Sequence, residues 1–252
     1  MTISSKEISA LLKKSDIIFT RPYNGLMFPD LGELLGIKSG KDFFFNEILN
    51  EIRKNSNTIE VVSIGGVSAI VTKEFFTNYL SLLLERSSKN SVYKQLPIRK
   101  YTKFERDLYG AMLKHGPISR KFLIFLFGLS GKKSRKLLDD SLLKLWERSW
   151  ITHVGYQKEE GVIWQAVVDW DKVSIRRALK ADKDSALEKI VLAIARSSKV
   201  ITRPQIRRLL KLIASSEAVD KTITSLIVKN AIDVSPKIII NGKKGLVFNK
   251  VR

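Results

Sequence analysis

Along the chain, apolar residues fall into helix-spaced stripes and short strand-like runs, and one order of the two recurs three times. Each copy reads as helix, short helix, longer helix, then two strands joined by a turn. In the first copy, Ser4 or Ser5 caps a helix reaching about Lys14, with Ile8, Leu11 and Leu12 on one face. Pro29 fits a first helical turn, Leu31, Leu34 and Leu35 follow, and Gly36 ends the short helix. Residues 41–54 form a third helix, striped by Phe44, Phe45, Ile48, Leu49 and Ile52. Strands at 59–64 and 67–72 flank Gly65-Gly66, a two-residue hairpin signature.

The second copy repeats the order. A helix at 103–114 ends at His115-Gly116-Pro117, and Ser119 caps a short apolar helix at 120–127 that Gly128 closes. Ser130 or Gly131 opens a long helix carrying Leu137, Leu138, Leu142, Leu145 and Trp146. Strands at 151–156 and 162–168 flank the turn Lys158-Glu159-Glu160-Gly161. In the third copy, a helix at 184–196 turns Ile190, Val191 and Ile194 inward, and Thr202 caps a second helix over 203–212. Ser215 or Ser216 caps the last helix, striped by Val219, Ile223, Leu226 and Ile227. Strands at 231–234 and 238–240 lead to Asn241-Gly242-Lys243-Lys244-Gly245, then to a strand at 246–249. Helical connectors at 73–85 and 173–181 and a polar linker at 87–91 join the copies.

Three helices and a hairpin make the winged form of the helix-turn-helix, whose third helix normally enters a DNA groove. The expected fold is therefore α+β and mainly helical, with three tandem winged helix-turn-helix units at 1–90, 91–182 and 183–252.

Charge sharpens this picture. The net formal charge is +20, and it divides as +1 over residues 1–90, +9 over 91–182 and +10 over 183–252. Such an excess fits a polyanion, because each neutralised phosphate releases condensed counterions. Solubility or a membrane surface would also account for a basic chain. The recurring element order points instead to double-stranded DNA. The absence of Cys and the presence of only two His exclude disulfides, thiolate chemistry and a histidine-rich metal centre. The opening residues do not resemble a secretory leader, and the strongest apolar run, 122–129, is too short to span a bilayer. A cytoplasmic protein is expected, nucleoid-associated in a bacterium, with no membrane partner.

The sharpest candidates are Lys132, Lys133, Arg135 and Lys136 at the start of the second unit's long helix. The helix dipole disfavours cations there, so their placement conflicts with local stability in the way functional residues do. Arg203, Arg207 and Arg208 on the third unit's second helix are candidates for phosphate contact, Arg203 and Arg207 sharing a face. Lys243 and Lys244 sit where a wing tip would follow the backbone. A solvated basic face or an ordinary turn explains the last two groups nearly as well. The third unit's last helix begins with Glu217 and Asp220, which repel phosphate. The first unit mixes Lys38 and Lys41 with Asp42, Glu47 and Glu51, which suits packing or a protein partner. Trp146, Trp150, Trp164 and Trp170 read as core rather than as a stacking platform.

No catalytic, metal or cofactor pattern is expected. Gly65-Gly66 and the 241–245 segment are turns rather than phosphate loops, and the pairs Asp139-Asp140 and Glu159-Glu160 diverge. His115 and His153 read as structural. Several stretches nevertheless resemble the alkylpurine and interstrand-crosslink DNA glycosylase family. They are Lys114-His115-Gly116-Pro117-Ile118-Ser119-Arg120, Val167-Val168-Asp169-Trp170, and Ile201-Thr202-Arg203-Pro204-Gln205-Ile206-Arg207-Arg208-Leu209-Leu210. Gly25-Leu26-Met27-Phe28-Pro29-Asp30-Leu31 is similar to part of that family's first unit. The resemblance implies tandem winged helices around a concave DNA-binding surface. Catalytic members carry Gln, an apolar residue, then Gln or Asp in the first unit. Here that unit has no Gln; the four in the chain are Gln95, Gln157, Gln165 and Gln205, and Asp30 is the nearest carboxylate in the similar segment. DNA binding without chemistry is the leading expectation. A glycosylase-like hydrolase or a degenerate relative of one, and a winged-helix protein scaffold, are the alternatives.

Overall fold

The computed structural model describes residues 5–20, 30–35, 50–53, 58–83, 100–198, 200–240 and 243–248. Lys38, Lys41, the Gly25 to Pro29 segment, most of the expected 41–54 helix and the linker at 87–91 lie outside the described residues.

The first segment holds α1 (Ser5–Ser15), β1 (Ile17–Phe19), α2 (Leu31–Leu35), β2 (Thr58–Ile64) and β3 (Val67–Thr72). Residues 50–53 are helical. The strands form an antiparallel sheet in the order β1-β3-β2. Gly65 and Gly66 turn the hairpin at φ +67° and +80°, where a side chain would be strained. α2 begins later than Pro29 suggested. The Asp30 carboxylate accepts from the Glu33 amide at 2.9 Å, so Asp30 is a helix cap. α3 (Lys73–Leu83) then leaves the sheet.

The middle segment contains α4 (Lys103–His115), β4 (Ile118–Ser119), α5 (Arg120–Leu126), α6 (Gly131–Glu147), β5 (Ile151–Gln157) and β6 (Gly161–Ala166). Its sheet runs β4-β6-β5. Thr102 and Glu105 form a reciprocal capping box on α4. Residues 167 and 168, expected as strand, instead begin α7 (Val167–Trp170), because the Asp171 amide closes a helical turn on the Val167 carbonyl at 2.9 Å. Asp171 then caps α8 (Lys172–Lys180) through the Ser174 amide at 3.0 Å.

The last segment has α9 (Lys183–Ser197), α10 (Arg203–Leu210), α11 (Ser216–Val228), β7 (Ile232–Ile240) and β8 (Lys243–Phe248). The break expected at Ser235-Pro236-Lys237 is not one. β7 runs through, shifting register against β8 between Ser235 and Ile239. Ile201 bridges Leu246 of β8, so all three segments place a short extended piece, ahead of their second described helix, against their final strand. The fold is α+β and mainly helical.

Two large cores and a smaller third cluster organise it. Leu108, Tyr109, Met112, Leu123, Leu138, Leu142, Leu145, Ile151 and Ala166 build one inside the middle segment. The other joins the two ends of the chain: Ile17, Phe19, Ala69 and Val71 of the first sheet meet Ile190, Ile194, Ile206, Leu209, Ile223 and Leu246. The opposite face of that sheet, Ile18 and Ile70, packs on Leu12, Leu31 and Ile52. Unbroken apolar runs such as Ile17-Ile18-Phe19 follow from burial on both faces.

Candidate nucleic-acid interface

Buried Leu138, Leu142 and Leu145 fix which side of α6 faces the core. Lys132, Lys133, Arg135 and Lys136 therefore emerge on its first two turns, all exposed. The N-cap residue Ser130 makes no side-chain cap bond, and no acidic residue occupies the first turn. Among the described residues none of the four cations is ion-paired. Lys132 and Lys136, four apart, repel each other as well as the dipole. The result is a helix start with unfilled amide donors and an uncompensated positive cluster, suited to an anion. Farther on, the helix is compensated: Arg120 binds Asp139 with two hydrogen bonds of 2.7 and 2.9 Å, and Lys144 reaches Glu105 at 2.9 Å.

α11 begins in the opposite way. Ser215 accepts from the Ala218 amide at 3.2 Å, Glu217 sits in the first turn, and Asp220 follows. Arg207 donates two hydrogen bonds to Asp220, at 2.8 and 2.5 Å, and Arg203 donates to Thr224 Oγ1 at 3.2 Å. Two of the three candidate arginines on α10 thus tie α10 to α11. Arg208 is exposed on the same helix. Lys243 and Lys244 lie within β8, paired with Ile240 and Ile239, rather than in a turn. The structure brings the α6 cations together and leaves the other candidates on separate elements.

Glu105 is nearly buried. Burial pushes its carboxyl upward, but hydrogen bonds from Lys144 and the Thr102 amide and the Lys144 charge together hold it below the usual range. Glu160 is held low by its hydrogen bond from Ser119. His153 packs between Trp146 and Trp164, with ring centroids 3.9 and 4.0 Å away, and its Nδ1 lies 3.4 Å from Arg53 of the first segment. The buried indoles serve packing.

One feature had no signal in the sequence. α1, α3 and α9 enclose a cleft of about 300 Å³ lined by Lys13, Asp16, Glu74, Asn78, Lys189 and Arg196, among others. Asp16 sits at φ +62°, where α1 stops, and accepts from Thr72 Oγ1 and Arg196, each at 3.2 Å. Burial raises its carboxyl above the usual range, with Arg196 and Thr72 opposing. In sequence this residue is a polar stop between a helix and an apolar strand; its partners lie 56 and 180 positions away. Among the described residues no three His, Asp or Glu side chains converge as metal ligands.

Neither a family model nor a curated protein sequence matches the chain. Among solved structures it is similar to Streptomyces sahachiroi DNA glycosylase AlkZ, with a TM-score of 0.57 and 14% sequence identity. The match covers 98% of this chain and 65% of that one, so the chain spans about two thirds of the neighbour's length, and at this identity the two share a fold.

Proposed function

We propose that this chain is a double-stranded DNA-binding protein built from three winged-helix units, at 1–90, 91–182 and 183–252, that holds the duplex chiefly through backbone phosphates. The α6 cluster carries the reading: four exposed cations, unpaired among the described residues, at the positive end of a helix dipole. In a winged helix this is the part of the third helix that meets the groove. Arg208, Lys243 and Lys244 extend the contact as secondary phosphate ligands, whereas Arg203 and Arg207 hold α10 on α11. The first unit's near-neutral charge suits a protein partner. Fluorescence anisotropy with a duplex across a salt series tests this. Tight binding with a steep negative slope of log affinity against log salt is expected. Absence of binding at low salt would sink the proposal and favour a protein scaffold.

A second reading, base excision, is supported by the Asp16 cleft and the shared fold. A carboxylate of the first unit, such as Asp16 at the wall of this cleft between α1, α3 and α9, is the feature that separates excision from binding alone. Release of an alkylated base from a duplex, abolished by Asp16→Asn with DNA binding intact, is the outcome this reading requires.

A further inference from the structure

α5 presents an apolar face outward. Leu123 is buried, while Phe125 is 77% exposed, Phe122 41% and Leu126 39%. Positions three and four apart share one side of a helix, so these three form a single patch. The two phenyl rings lie 6.2 Å apart, and His115 extends the row with its ring 6.1 Å from Phe122. Isolated exposed apolar residues are ordinary, but a contiguous aromatic face calls for an occupant.

Charge identifies the occupant's class. From Arg120 to Leu137 there are six Lys and Arg and no Asp or Glu. Arg120 and Lys121 are engaged by Asp139 and Glu160. Lys132, Lys133, Arg135 and Lys136 begin just beyond the short turn that joins α5 to α6. An exposed aromatic helix followed directly along the chain by an unpaired cationic helix start complements a ligand that offers both flat π surfaces and phosphates.

We infer that Phe122 and Phe125 stack on, or wedge between, unstacked bases, so that the protein favours DNA with an opened base step over intact duplex. The inference rests on the DNA-binding reading. Intact B-form duplex covers its base faces by stacking and offers a phenyl ring only groove edges and phosphates. An abasic site, bulge or mismatch exposes those faces, and aromatic side chains take them up without regard to sequence.

The test uses the full chain and two labelled duplexes, identical except that one carries a central abasic site flanked by 2-aminopurine. The wild type should bind the abasic duplex about tenfold more tightly, as one stacked base would give, and the 2-aminopurine signal should change on binding. Phe122→Ala/Phe125→Ala should bring the preference to about one while leaving intact-duplex affinity and Tm unchanged. Phe125→Trp should restore the preference. Equal binding of both duplexes by the wild type overturns the inference and leaves DNA binding standing. Equal weakening of both duplexes by the double variant overturns it too, as does conversion of a dimer to a monomer, which would make the patch a self-association surface. Failure of the wild type to bind either duplex removes the DNA-binding reading itself.

Discussion

The middle of the chain and its two ends share an order of elements but solve burial differently. The middle segment encloses its own core between α4, α5, α6 and its sheet. The ends depend on each other, because one face of the β1-β3-β2 sheet shares a single core with α9, α10 and α11. Links between the two regions include polar contacts such as Asn50 donating to the Tyr156 carbonyl at 2.7 Å, together with the packing of α7 and α8. A shared order of elements therefore does not imply shared surfaces. The segment that completes its core alone turns the start of α6 and the aromatic face of α5 to solvent. In the last segment, the corresponding helix start is occupied by Glu217 and Asp220.

The largest effect should come from the cores. Ile190→Ala, in the shared one, should cost about 2–5 kcal/mol. Hydrogen exchange should then show β1, β3, α9 and α11 losing protection together while α4 to α6 keep theirs, with Leu138→Ala giving the converse. Uniform loss of protection across the chain would show that the two regions unfold as one. Next, Lys132→Ala/Lys133→Ala/Arg135→Ala/Lys136→Ala should weaken duplex binding by about tenfold or more and reduce the salt slope by up to about 3–4 units. Tm should hold or rise, because cations oppose the dipole there. Unchanged affinity would remove α6 from the interface.

Glu105→Gln should lower stability at neutral pH by about 2 kcal/mol, the scale of a charge-assisted buried hydrogen bond. The folded carboxyl titrates below its unfolded value, so its contribution is complete above the ordinary glutamate range. It is lost as pH falls through the lower folded value. Urea midpoints of wild type and variant should accordingly converge toward acid pH; a constant gap would show that packing, not charge, is at stake. The smallest change should be Arg207→Ala. A half-exposed pair with Asp220 is worth roughly 0.5–1 kcal/mol, and duplex affinity should not move. A marked loss of affinity would return Arg207 to the interface.

Local signals in the sequence were legible. Gly65-Gly66 marked its hairpin, Ser119 and Gly128 bracketed α5 closely, and the leucine stripe of α6 placed its cations outward. Features set by distant partners were not. Arg207 resembles Arg208 until Asp220, thirteen residues on, is folded back against it. Ser235-Pro236-Lys237 signals a break, yet a register shift carries β7 through it. Val167 and Val168 have strand propensity, but the turn closed on Asp171 overrides it. The exposure of Phe122 and Phe125 was hidden for a different reason: composition alone marks an apolar helix as core. The Asp16 cleft needs three elements that sequence order keeps far apart.

The tie between Arg196 and Asp16 spans 180 residues, and the sheet face beside it shares a core with residues from the same late part of the chain. On a ribosome, the first segment emerges with the core around Ile17, Phe19, Ala69 and Val71 incomplete until α9 to α11 follow. The middle segment, by contrast, can close as soon as β6 is made. The order of completion therefore inverts the order of synthesis, and the early strands are the stretch most in need of a chaperone while translation continues.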